Sequence, residues 1–427
     1  MPPAAAARLA DLASPMSSVD RTLREVLLPE LLQAVVDREL RVPPEVLPDL
    51  LDTGRTHPEL RTLVMAAGGT RAAWLAAQNP AWARLAATES TVESASDADW
   101  HEGTPGQRIA YLRSRRRADP DAGRELLTAD WPTLAPDERA ALLDVLATGL
   151  GPADEELIEQ ALGDKRKEVR ATAQQLAAAL PGSAFNQRAL DRTRECLTVA
   201  GRTVEVTPPA QCDTAMRRDG IEPKPPSGVG ERAWWLEQVL ARTPLREWDP
   251  ALLGLSIADD WEPVVHHGLA QAAINQRHGA WATALVDRLA PAEGRNRWNW
   301  IRPALLAALP VDELTRRLID LLRTDTDPGD GLTVAALLEH IPTPWPDDLG
   351  AAVLVGAAGA IREPRRWFDV DHVCRLAFLG LPSTRAAAVD QLAERLRLEQ
   401  PDNRRTISLE RLASVLHQRH EMIKELT

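Results

Sequence analysis

Apolar residues recur along this chain at the three-and-four spacing of amphipathic helices. Between Asp20 and Glu39 they fall at Leu23, Val26, Leu27, Leu31, Leu32, Val35 and Val36, a single stripe. Pro29 lies inside that stripe, where it either kinks the helix or divides it. Pro43-Pro44 stops this helix and opens the next, because proline is tolerated in a first turn. Gly68-Gly69 ends a further helix, and Arg71–Asn79, with Trp74, forms another. Thr88–Glu102 is rich in Ser, Asp and Glu and reads as a linker or exposed loop. Residues 1–98 are therefore an N-terminal helical region.

Residues 99–190 repeat the pattern more regularly. Helices are expected over Gln107–Arg117, Asp121–Ala129, Pro136–Leu150, Asp154–Leu162 and Lys167–Leu180, separated by turns carrying Pro, Gly and Asp. The stretch EELIEQALGDKRKEVRATAQQLAAALP contains two of them joined by a tight turn. Leu157, Ile158 and Leu162 face the core from the first. Val169, Ala173, Leu176, Ala177 and Leu180 face it from the second. Asp164 is placed to cap the second helix by accepting from its free N–H groups. Arg170, six residues later, is in reach of the aspartate of a neighbouring pair. This segment resembles a HEAT repeat, with Asp164, Val169 and Arg170 as its structural positions. Any antiparallel helix pair gives similar spacing. One such unit cannot bury its apolar face alone, so the resemblance implies an all-α fold of helix pairs stacked as an α-solenoid.

Residues 191–230 interrupt the helices. Cys196–Ala200 and Thr203–Thr207 favour β-structure, and Gly201-Arg202 between them signals a hairpin with a type II′ turn. Pro208-Pro209 ends it. The following MRRDGIEPKPPSGVGERAWW is an extended, turn-rich insertion that runs into two adjacent tryptophans. Residues 231–427 return to helices, expected over Glu231–Arg242, Pro250–Ile257, Glu262–Arg277, Ala280–Leu289, Trp300–Ala308, Val311–Arg323, Gly331–Glu339, Pro346–Ala360, Asp369–Leu379, Ser383–Arg397 and Ser408–Glu425.

Composition agrees with this picture. Aromatic residues make up 4% of 427, and 13 of them are Trp, so Ala, Leu and Val must fill the interior. The net charge of −12 argues against nucleic acid as a partner. Cys196, Cys212 and Cys374 form no CxxC pair, which fits a reducing cytoplasm. The N-terminus lacks a basic region of the signal-peptide kind. The longest nearly apolar run, Leu349–Ile361, is short of the ~20 residues a membrane helix needs, so no membrane partner is expected.

Candidate chemistry is thin. His417, His420 and Glu421 share a helix face but lack the order of a HExxH site, and they read as surface residues near a helix end. His266-His267 point about 100° apart on a helix, so one is expected packed and one solvated. Asp371, His372 and Cys374 lack a common face, and Cys374 reads as a buried thiol. Gly254–Ala258 and Gly228-Val229-Gly230 are incomplete as nucleophile or phosphate loops. No catalytic residue, metal or cofactor is expected. Arg113 and Arg115–Arg117 form the densest basic cluster, read as a solvated, ion-paired surface. Trp234-Trp235 are either packed under residues 219–230 or partly exposed as a binding surface. Arg217, Arg218 and Asp219 beside them complete the candidate partner surface, and a plain connector between helical halves is the alternative.

The blocks RAAWLAAQNPAW, LGDKRKEVRATAQQLAAALPGSA, RRDGIEPKPPSGVGERAWWLEQ and PLREW together resemble a bacterial, mostly actinobacterial family of HEAT-like proteins of unknown function. Its members are typically encoded beside a MoxR-type AAA+ ATPase, a von Willebrand factor A domain protein and a SWIM zinc-finger protein. The repeat pattern, the lack of a catalytic constellation and the extended surface such arrays create point to a non-enzymatic scaffold for protein–protein contact, and the resemblance adds the AAA+ ATPase or the von Willebrand A protein as candidate partner. The alternative on the same fold is a nucleic-acid-processing enzyme such as a HEAT-like DNA glycosylase. That reading requires a continuous arginine-lined groove with a recessed aspartate and a tryptophan.

Overall fold

The computed structural model describes residues 1–17, 19–82, 85, 97–258, 260–289, 300–329 and 331–426. Trp298 and the 88–96 part of the expected linker lie outside the described residues. Among the described residues are 22 α-helices and one three-stranded sheet. In chain order the first eleven helices are α1 (Pro3–Ala13), α2 (Arg21–Asp37), α3 (Leu47–Thr56), α4 (Arg61–Gln78), α5 (Asp97–His101), α6 (Pro105–Ala118), α7 (Pro120–Asp130), α8 (Pro136–Asp144), α9 (Glu155–Ala161), α10 (Lys167–Ala179) and α11 (Ala184–Cys196). Strands β1 (Leu197–Ala200) and β2 (Thr203–Val206) follow, then α12 (Thr214–Arg218), α13 (Glu231–Leu240), strand β3 (Ser256–Ile257), α14 (Glu262–Asn275), α15 (Gly279–Val286) and α16 (Ile301–Ala307). The chain closes with α17 (Val311–Thr324), α18 (Val334–Leu338), α19 (Asp347–Arg362), α20 (Val370–Gly380), α21 (Ala386–Glu399) and α22 (Thr406–Lys424).

Two compact units result, and they do not follow the four segments read from the sequence. One joins residues 1–94 to 314–427; the other is residues 95–313. In the first, Leu9, Leu12, Leu31, Leu32, Leu50 and Leu51 share a core with Met422 of α22. Arg419 reinforces the closure. Its guanidinium donates to both Glu30 oxygens at 2.6 and 2.9 Å and to the carbonyls of Phe378 and Leu381. Arg8 pairs with Glu425 in the same way. Pro29 sits inside an unbroken α2. Gly69, at φ 55°, interrupts α4 beside the expected break, with further helix on its far side.

In the second unit, helices pack on those one to three places along the chain: α6 on α7, α9 on α10, α8 on α10, α11 on α13, α13 on α14, α14 on α15 and α16. Several local expectations change here. Residues 97–101 of the expected linker are α5, held by buried Trp100, whose indole donates to Asp130. The expected break begins six residues late. Ser183 caps α11 by accepting from Asn186 N, and Phe185, Ala189, Leu190, Thr193 and Cys196 give the helix a buried face through to its end. The hairpin forms with Ala200 opposite Thr203, and Gly201 takes φ 63°, the left-handed backbone a primed two-residue turn requires. The segment 250–257 is not an α-helix. Pro250–Gly254 is a 3₁₀ turn, and Ser256-Ile257 extends to pair in parallel with β2, Ser256 N donating to the Arg202 carbonyl.

Gly268 brings α14 close to α13. A Cβ there would stand 2.7 Å from Leu240 Cβ and 2.9 Å from the Glu237 carbonyl oxygen. Gly268→Ala must therefore push the two helices apart, with an expected loss of about 1–3 kcal/mol. A melting temperature equal to that of the parent protein would show that the pair accommodates the methyl group.

Candidate functional site

An open groove of about 1090 Å³ runs across α10, α13 and α14. Helical periodicity builds its walls. α10 buries Val169, Ala173, Leu176 and Ala177, so Ala171, Gln174, Gln175, Ala178 and Ala179, three and four apart, share another face and line the groove. α13 buries Trp235, Leu236, Val239 and Leu240 and turns Trp234 and Glu237 towards it, with Ala241 just past its end. α14 contributes Gln271 and Asn275; Arg242, Arg246, His278 and Trp300 close the circuit. The lining is thus small residues, amides and two tryptophans, with three charged groups. Trp300 is 49% exposed.

Two of the amides are structural. Gln238 is buried and clamps Glu222, accepting from its N–H at 2.8 Å and donating to its carbonyl at 3.1 Å. Gln276 does the same across a turn, accepting from Leu245 N and donating to the Thr243 carbonyl. Asn275 donates to the Ala241 carbonyl at 3.5 Å and accepts from Gln271 at 2.7 Å, linking α14 to α13.

The insertion is fastened to this wall. Trp234 donates to the Glu222 carbonyl at 3.0 Å and Trp235 to the Pro223 carbonyl at 2.9 Å. Arg242 donates to the carbonyls of Asp219, Gly220 and Gln238. Asp219 itself is 1% exposed and accepts from Arg188 at 2.8 and 2.9 Å and from Arg192 at 2.7 Å. Burial pushes its carboxyl up, but the hydrogen bonds from Arg188 and Arg192 outweigh this and hold it below the usual carboxylate range. Burial conversely holds the Arg242 guanidinium below its ordinary value. The five expected partner-surface residues therefore separate. Trp234 lines the groove, Trp235 and Asp219 are buried, and Arg218 bonds Glu159 at 2.8 Å. Arg217 is exposed and bonds the Asp213 carbonyl and the Thr214 hydroxyl. Asp219 is covered because a carboxylate between two arginines is more stable there than free in solvent.

The repeat positions also differ in detail. Val169 is buried as expected. Asp164 accepts from Arg166 N at 2.8 Å, ahead of the helix, and pairs with Arg139 of α8 at 3.0 Å. Arg170 turns back to the carbonyls of Asp164 and Lys165 and reaches no neighbouring aspartate. The helix pairs are thus joined by Arg139–Asp164, with Arg166–Asp137 at 3.3 Å beside it. Asp164→Ala is expected to cost roughly 1–2 kcal/mol, a turn bond and a half-buried ion pair together. Equal denaturation midpoints for variant and parent would contradict it.

His266 is buried and His267 partly exposed. Cys374 is buried, and burial pushes its thiol up to about 12, away from reactivity. His417 pairs with Asp390. No group of three or more potential metal ligands occurs among the described residues. No helix among them is long and apolar enough to cross a membrane. Arg116 departs furthest from expectation: it is 0% exposed and pairs with buried Asp154.

Sequence reasoning overlooked the groove because its amides look like a solvated face. The available signal was the second stripe of α10, alanines and glutamines opposite the buried one. The chain belongs to a family of unknown function, DUF5691, whose model matches residues 1–426. No curated protein and no solved structure matches it.

Proposed function

We propose that this protein is a non-enzymatic helical-repeat scaffold that holds a segment of another protein in the groove across α10, α13 and α14. The observation that carries the reading is the groove's lining. Small residues leave room for a backbone, the Gln175 amide and the Gln271 carbonyl can pair with peptide N–H and C=O groups, and exposed Trp300 offers the kind of anchor that dominates protein interfaces. The mostly local packing of helices in residues 95–313 supports a HEAT-like solenoid, whose stacked pairs create elongated binding surfaces. The family resemblance supplies the candidate partners, a MoxR-type AAA+ ATPase or a von Willebrand A domain protein. The glycosylase reading is weaker, because buried Asp219 is held by two arginines instead of standing recessed in the groove.

The test is site-specific photo-crosslinking in the native host. A photoreactive residue at Gln175 or Gln271 is expected to capture one common protein, and the same residue at exposed Arg217 to capture none of it. Capture of different proteins from the two groove positions, or of nothing, overturns the reading. Replacing the whole insertion is a poor test, since it removes buried Met216, Asp219 and Ile221 with it.

A further inference from the structure

Resting on the scaffold reading, we infer that the groove's occupant is a linear acidic segment of a partner protein, in which carboxylates alternate with large apolar side chains. The chain carries a net charge of −12, yet the groove reverses that balance: its charged lining residues are Arg242, Arg246 and Glu237. The three hydrogen bonds of Arg242 all end on neutral carbonyls, at 3.1, 3.0 and 2.5 Å. The Asp219 carboxylate below it is taken by Arg188 and Arg192. Among the described residues Arg242 therefore makes no hydrogen bond or ion pair to a carboxylate; the Asp219 and Glu222 charges act on it only through space, and its guanidinium stands at the groove in a largely desolvated position. Burial holds this guanidinium below its ordinary value, with Arg192 adding to the effect and Asp219 and Glu222 opposing it. Arg246 stands in the exposed 3₁₀ turn Leu245–Glu247, with a loose 3.5 Å contact to Glu247. A second guanidinium is thus available for a bidentate carboxylate bond.

Apolar side chains have a place beside these cations. Trp300 is half exposed, and Trp234 presents a face to the same groove. A basic segment would face two arginines against one glutamate. Nucleic acid draws affinity from many phosphate contacts at once, and two cations on a strongly acidic chain supply few. An acidic, apolar peptide satisfies the arginines and the indoles together.

The experiment uses the full chain and fluorescence anisotropy with three probes: a short labelled peptide of alternating Asp/Glu and Leu/Trp, its Lys/Arg counterpart, and a labelled oligo-dT. The acidic peptide is expected to bind at least about tenfold more tightly than the basic one. Arg246→Glu should erase that preference, and Trp300→Ala should weaken binding roughly fivefold, both with unchanged melting temperatures. Equal or stronger binding of the basic peptide overturns the acidic class and leaves the scaffold reading standing. Binding of neither peptide also overturns it, and takes the scaffold reading too if the groove crosslinks capture nothing. Oligo-dT binding more tightly than either peptide, and weakened by Trp300→Ala, overturns both in favour of a nucleic-acid groove.

Discussion

Asp154→Ala is expected to destabilise the unit of residues 95–313 by about 3–5 kcal/mol, the usual consequence of removing one partner of a buried ion pair. Arg116 is fully enclosed, and its guanidinium meets both Asp154 oxygens at 2.8 and 2.9 Å. Its remaining N–H groups donate to the carbonyls of Thr148, Pro120, Leu146 and Gly149, closing a turn around one side chain. Gly123 makes the room, since a Cβ there would stand 2.7 Å from Arg116 Cδ. Without Asp154 the carbonyl bonds persist but the positive charge has no counter-ion and no water. At ~2–4 °C per kcal/mol for a unit of this size, the transition should fall by roughly 6–20 °C. The double variant Arg116→Met with Asp154→Leu separates charge burial from packing. It should recover a large part of the loss, because the desolvation cost disappears with the charges. A single variant that melts with the parent would show that Arg116 escapes to solvent. A double variant no better than the single would assign the loss to packing.

That pair marks where the sequence stopped being legible. Periodicity located most helices within a few residues, because Leu and Ala stripes such as Leu176–Ala177 of α10 are local patterns. Arg116 lies four residues after buried Leu112, on the same helical face, so position alone placed it inward; its residue type argued outward. Only a partner 38 residues away makes the inward position tolerable, and no local pattern announces Asp154. The parallel pairing of β3 with β2 was hidden for the same reason: two residues, Ser256 and Ile257, meet a strand more than fifty positions earlier. The return of α22 to the first helices likewise rests on contacts such as Arg419–Glu30, invisible at helical range.

The candidate site was half legible. The turn-rich insertion and the paired tryptophans were located, and Trp234 does line the groove. The rest of the groove is assembled from faces of three helices, each of which alone looks like ordinary polar surface. Its discriminating property, a guanidinium whose hydrogen bonds all end on carbonyls, depends on Asp219 directing its carboxylate to Arg188 and Arg192.

Asp219→Asn is expected to weaken the fold by about 3–5 kcal/mol at neutral pH and to lose most of that difference in acid. Asp219 joins the insertion to α11 through Arg188 and Arg192, while its own carbonyl accepts from Arg242 at the groove. The amide keeps the shape but not the charge, so Arg188 and Arg192 face one another, and of the two Arg188 keeps an ion pair with Glu159. The carboxyl is held low in the folded protein, and in the unfolded chain it returns to about 4. As pH falls, the unfolded state therefore binds the proton first. Stability from Asp219 is complete above about pH 4 and drains away as pH drops towards the folded value. Urea midpoints of parent and variant should thus differ widely at pH 7 and converge below about pH 4. Loosening of the insertion should also speed tryptic cleavage after exposed Arg217 and Arg218 at pH 7. Parallel pH curves would place the acid sensitivity elsewhere, and unchanged cleavage would show that Trp234, Trp235 and Gln238 hold the insertion without the aspartate.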